Sequence, residues 1–131
     1  MSRQTIAQAR AKHALGRITA YQVKDDDKQK RFNSYVAAFG PMILMSGFGQ
    51  ACAFYLANKK SEHKDVLDAV EDWLGSEGKP FYGLQGHIIE CITSVEKSTY
   101  RLAQIETLAY LDWLKKFAKA FLKSDDSGGM P

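Results

Sequence analysis

The sequence predicts an all-α fold, a compact single-domain bundle of five to six helices with no β-sheet. Three observations carry that expectation. Apolar residues recur at spacings of three and four over most of the chain. No stretch shows the alternating pattern of a half-buried strand. The 131 residues, 45% hydrophobic and 25% charged, match the averages for one soluble globular unit. The domain is expected over residues 1–123, followed by a polar, glycine-rich disordered tail over residues 124–131.

Residues 3–23 read as a first helix, with Ala7, Ala11, Ala14, Ile18 and Tyr21 on one face. Its small alanines imply close approach of a neighbour. Asp25, Asp26 and Asp27 then suit the positive N-terminal end of a second helix. Phe32, Tyr35, Val36 and Phe39 face inward on it, and Gly40-Pro41 is expected to break or kink it. Pro41 would open a third helix that ends near Asn58. No charge occurs between Phe32 and Asn58, so this segment is expected at the centre of the core. Gly40-Pro41, Ser46 and Gln50 interrupt it, and basic residues flank both ends, which argues against a membrane span.

An acidic amphipathic helix is expected over residues 64–76, with Val66, Leu67, Val70, Trp73 and Leu74 inward. A glycine-rich loop leads to a short helix from His87 to Val95 and a long one from Glu96 to Lys123. On that last helix Leu102, Ile105, Ala109, Trp113, Phe117 and Phe121 are assigned to the core. Asp112, Lys115, Lys116, Lys119 and Lys123 form its outer polar strip.

The net charge of +3 conceals an asymmetry. Met1 to Lys24 holds five bases and no acid, whereas Ser61 to Tyr100 holds eight acids and three bases. Such a molecule suits either a nucleic-acid contact or subunits stacked by opposite charge. Two cysteines, Cys52 and Cys91, are too few for a disulfide framework or a four-thiolate zinc site. The chain opens on Arg3 and mixed polar residues rather than a secretory leader, so a cytoplasmic location is expected.

Motifs with chemical meaning are weak. Gly47-Phe48-Gly49 has Cys52 where a dinucleotide turn needs its third small residue, and no parallel strands accompany it. A glycine pair that admits another helix is the better reading. His87 and Cys91 share a helix face, but nothing local completes a metal site. Asp65, Asp68, Glu71 and Asp72 occupy successive turns and read as a solvated face, without the divided environments an acid–base pair needs. Asp25 to Asp27 lacks the glycine and glutamate of a calcium loop, and Gly83-Leu84-Gln85-Gly86 lacks the strands of a KH clamp. No catalytic residue, metal or cofactor is expected. The sharpest periodic feature is Arg3, Arg10, Arg17 and Lys24. Steps of seven keep them on one stripe of about 30 Å, suited to a phosphate backbone without base readout or to salt bridges with an acidic neighbour.

Two separated motifs in the right order carry a family resemblance. The first runs through Tyr35-Val36, Pro41-Met42-Ile43-Leu44, Gly47-Phe48-Gly49-Gln50-Ala51-Cys52-Ala53-Phe54-Tyr55-Leu56 and Lys59-Lys60. The second is Tyr100-Arg101 followed by Glu106-Thr107-Leu108-Ala109-Tyr110-Leu111-Asp112-Trp113-Leu114-Lys115-Lys116-Phe117-Ala118. Together they resemble the small α-helical subunit of the Cmr-type (type III-B) CRISPR ribonucleoprotein effector complex, an RNA-guided, RNA-targeting antiviral assembly. The resemblance implies a non-catalytic subunit that stacks head to tail beside larger backbone subunits. Its basic face would help hold target RNA paired with the guide. On that reading the expected RNA contacts are Arg10, Arg17, Lys24, Lys59, Lys60 and Arg101. Partners would be other Cmr-type subunits, copies of itself, and guide and target RNA, with no membrane. The alternative is a helical protein–protein adaptor that oligomerises by charge without binding nucleic acid.

Overall fold

The computed structural model describes residues 4–58, 60–76, 79–82 and 87–124. Among them the chain forms six α-helices and no strand: α1 (Ile6–Tyr21), α2 (Asp26–Ser46), α3 (Phe48–Ala57), α4 (Ser61–Leu74), α5 (Ile88–Ser94) and α6 (Lys97–Phe121). The tail expected from residue 124 lies outside the described residues beyond Ser124, and Gly83 to Gly86 lie outside them too.

Thr5 sets the start of α1 three residues later than the periodicity suggested. Its hydroxyl accepts from Gln8 N at 3.0 Å, while the Gln8 side chain accepts from Thr5 N at 2.8 Å. This reciprocal pair satisfies two of the orphan donors at the helix start. Asp25 caps α2 by accepting from Lys28 N at 2.9 Å, with Asp26 and Asp27 in the first turn as expected.

The break expected at Gly40-Pro41 is absent: α2 runs through Pro41 to Ser46. The turn falls instead at Gly47, whose φ of +92° suits glycine alone. Pro41 is exposed, so the backbone acceptor it leaves without a donor need not be buried. Phe39 and Ile43, on the opposite side, are fully packed and hold the helix in line. The uncharged segment is also less central than expected, since Leu44, Met45 and Phe54 are 71%, 88% and 53% exposed. The core takes Val36, Phe39, Ile43, Phe48, Ala51 and Tyr55 from it. No described helix is long and apolar enough to cross a membrane.

Helix α6 is the axis of the bundle. Arg10 meets Glu106, His13 meets Tyr110 and Gln22 meets Phe121, so α1 runs parallel to it. Asn33 reaches Ala118 and Phe48 reaches Gln104, so α2 and the start of α3 run the other way. The close approach anticipated at Gly49 is to α6: Gly49 N donates to the Tyr100 hydroxyl at 2.8 Å, and a Cβ there would lie 3.4 Å from that oxygen. Helix α4 closes the other side, burying Val66, Leu67, Val70, Trp73 and Leu74 as expected.

The phase of α6 differs from the expectation. Its buried residues are Ala103, Thr107, Tyr110, Leu111, Leu114 and Ala118, whereas Leu102, Ile105 and Phe121 are each more than half exposed. The seam on which α1 and α2 both close mixes small side chains (Ala103, Thr107, Ala118) with large ones (Tyr110, Leu111, Leu114), as crystal-like packing density requires. Bulky groups such as Trp113 and Phe117 are left at the margin, only partly buried.

Candidate nucleic-acid interface

The six expected RNA contacts do not form one surface. Arg10 turns across to α6, its Nε 2.6 Å from Glu106 Oε2 and its Nη2 2.9 Å from Oε1, with its side chain only 20% exposed. Trp73 Nε1 donates to the same carboxylate at 2.8 Å. Burial works to raise the Glu106 carboxyl, but the Arg10 and Trp73 hydrogen bonds outweigh it and hold the group below the usual glutamate range. A fork-on-fork pair with a third donor positions three helices and leaves Arg10 little to offer a strand.

Arg17 lies two turns further along α1 and is half-buried at the rim of a groove of about 290 Å³ between α1 and α2. Lys24 shares that groove just beyond the end of α1, its Nζ 5.7 Å from the Tyr21 ring centroid. Asp65 also lines it but accepts from the Tyr21 hydroxyl at 2.6 Å. No described carboxylate lies within ion-pair distance of Arg17 or Lys24, which makes them the available half of the stripe. Arg3 falls outside the described residues.

Lys60 precedes α4 and is exposed, its backbone N donating to Asn58 Oδ1 at 3.4 Å. It stands at the same end of the molecule as Lys24, since Tyr21 contacts Asp65 one turn into α4. Lys59 lies outside the described residues. Arg101 is exposed in the second turn of α6, at the opposite end. The structure therefore gathers Arg17, Lys24 and Lys60 towards one end, ties Arg10 to Glu106, and sets Arg101 apart.

The acids of α4 are the expected solvated face only in part: Asp72 is 60% exposed, whereas Asp65, Asp68 and Glu71 are half-buried. Asp72 pairs with His13 Nε2 at 2.5 Å, and His13 Nδ1 is 2.7 Å from the Tyr110 hydroxyl. Glu71 holds His87 Nδ1 at 2.9 Å and accepts from Ile88 N at 2.8 Å. Asp65 is held by Tyr21. Burial, then the neighbouring Glu71 and Asp65, raise the Asp68 carboxyl. Asp65, Glu71 and Asp72 thus tie α4 to α1 and to the start of α5. Burial pushes the Cys52 thiol up to about 12 and raises Cys91, which keeps both as unreactive thiols. Among the described residues no group of three or more His, Cys, Asp or Glu side chains is placed to hold a metal.

A second cationic surface, read in the sequence only as an outer polar strip, lies between α2 and α6. Lys30, Lys115, Lys116 and Lys119 line one groove there. The signal was the period of Lys115 and Lys119 on α6; what the sequence hides is that Lys30 faces them from 85 positions away.

Fold and surface define a small all-helical protein whose buried charges brace its own helices, with separate cationic surfaces outside. The sequence model of the Cas_Cmr5 family, described as CRISPR-associated protein, matches residues 6–121. The chain belongs to that family and is a subunit of the Cmr-type (type III-B) CRISPR complex, associating with its other subunits. The fold is similar to the crystal structure of a CRISPR-associated Cmr5 family protein from Thermus thermophilus. That match has a TM-score of 0.77 at 20% identity, over 92% of this chain and 100% of the other. No curated protein matches the chain.

Proposed function

We propose that the chain is a non-catalytic structural subunit of the cytoplasmic effector complex, stacked in several copies and helping to hold the guide–target RNA duplex. The observation that carries the RNA contact is the pair Arg17 and Lys24, which share one groove rim with no described carboxylate within ion-pair distance, Asp68 acting on Arg17 only at longer range. Lys60 extends the same end, and Arg101 serves a separate contact. Arg10 acts as a strut for this surface rather than as its lead contact. Backbone contacts suffice for the role, because base pairing reads the sequence and the protein need recognise only charge and shape.

The alternative, an adaptor that associates by charge without RNA, is favoured by the separate groove that Lys30, Lys115 and Lys119 line away from Arg17 and Lys24. The two readings separate in one experiment. Arg17→Glu with Lys24→Glu, in the assembled complex, is expected to lower RNA retention and to reduce the salt slope of binding by about two. Retention and slope equal to wild type, in a complex of normal composition, would favour the adaptor.

A further inference from the structure

The antiparallel helices α2 and α6 leave an open groove whose two halves, about 500 and 380 Å³, share Ala37 and Lys115 and so are continuous. The α2 wall is Lys30, Ser34, Ala37, Pro41 and Leu44, stepping four, three, four, three. The α6 wall steps four, three, four through Leu108, Asp112, Lys115 and Lys119. Two ridges of that period are the complement of a third helix laid between them. The fourteen steps from Lys30 to Leu44 span about 21 Å, roughly four turns.

The groove is open at its middle. A Cβ added at Gly40 would meet nothing within 4 Å, so nothing among the described residues requires glycine at this mid-helix position. The chemistry is divided along the length. One half presents Pro41, Leu44 and Leu108, with Leu44 71% exposed. The other presents Lys30, Lys115 and Lys119, none within ion-pair distance of a described carboxylate, while Asp112 is taken by Lys116 at 3.2 Å.

We propose that this groove docks an acidic amphipathic helix from another protein subunit, its apolar residues on Pro41, Leu44 and Leu108 and its carboxylates on Lys30, Lys115 and Lys119. Helix-in-groove docking reads anchors at three- and four-residue spacing, which both walls supply. RNA is the poorer occupant: no aromatic platform lines the lysine half, and the apolar half offers nothing to a phosphate backbone. A second copy is poorer too, since three carboxylates of the chain's own acidic amphipathic helix are held by Tyr21, His87 and His13.

Zero-length carbodiimide crosslinking of the purified native complex, read by mass spectrometry, tests the assignment. Lys30, Lys115 or Lys119 should join Asp or Glu side chains of a different subunit, spaced three or four apart within one helix. Gly40→Leu and the double variant Lys115→Glu with Lys119→Glu, each melting within a few degrees of wild type, should enter the complex at least tenfold less well. Crosslinks confined to a second copy of this chain would overturn the proposal. So would lysines that become reactive to an amine label only after nuclease treatment, which would assign the groove to RNA. Folded variants incorporated as well as wild type would also overturn it. If a variant does not fold, the crosslink pattern of the wild-type complex decides.

Discussion

Glu106 sits where α1, α4 and α6 meet, accepting from Arg10 and from the Trp73 indole. Removing Arg10 leaves that carboxylate with one donor in a site only 14% exposed. Arg10→Ala should therefore cost about 1–2 kcal/mol of stability at neutral pH, measured by urea unfolding. Because the Glu106 carboxyl is held low when folded, the pair's contribution is full above the ordinary glutamate range and is lost as pH falls below that range through the lowered folded value. The wild-type and variant curves should accordingly converge in acid. His63 gives a second acid-sensitive case, set by burial rather than by an ion pair. It is 7% exposed, stacked on Tyr35 at 3.6 Å, and its Nδ1 has no hydrogen-bond partner. Burial lowers its pKa despite the nearby Glu62 carboxylate, so the folded state prefers the neutral ring. Stability should then fall as pH drops below the ordinary histidine value of about 6.5, because the unfolded chain takes the proton more readily. His63→Phe keeps the stack and removes the proton, and its melting temperature should decline less between pH 8 and pH 5.

At the scale of the helix, α6 shows why apolar periodicity alone misleads. Leu102, Ile105, Trp113 and Phe117 make a stripe as regular as the buried one, and their bulk makes it the more conspicuous. The buried stripe instead mixes Ala103, Thr107 and Ala118 with Tyr110, Leu111 and Leu114. Where two helices close on a third, the shape of the space between them decides which side chains fit, and bulk along one face is a weak guide to burial. Leu114→Ala should thus cost about 2–5 kcal/mol, whereas Leu102→Ala should stay within about 0.5 kcal/mol, both by chemical denaturation. The boundary between α2 and α3 teaches a related lesson. Gly40-Pro41 carries the stronger local breaker signal, yet the turn lies at Gly47. The sign of a backbone angle depends on what packs around it, and Tyr100, which meets Phe48 and Gly49 here, comes from a distant part of the chain.

Across the whole molecule, the all-helical class, the acidic α4 and the short α5 were legible because each rests on local apolar spacing. The interface was legible only in part. Arg10 is withdrawn by Glu106, 96 positions away, and Lys30 is joined to Lys115 and Lys119 across 85 positions or more. Pairings over such distances leave no trace in local periodicity. The same distances make a prediction about integrity. Asn33 donates to the carbonyls of Ala118 and Lys123, and α1 leans on α6 throughout, so a chain ending before Lys97 should lose its cooperative unfolding transition by circular dichroism.

The parallel course of α1 and α6 also bears on synthesis. Before α6 is made, α1 can already lean on α2 and α4 through Tyr21 and His13. Its longest seam, with α6, must wait until that helix has followed, and such late closure slows folding and lengthens exposure of the seam.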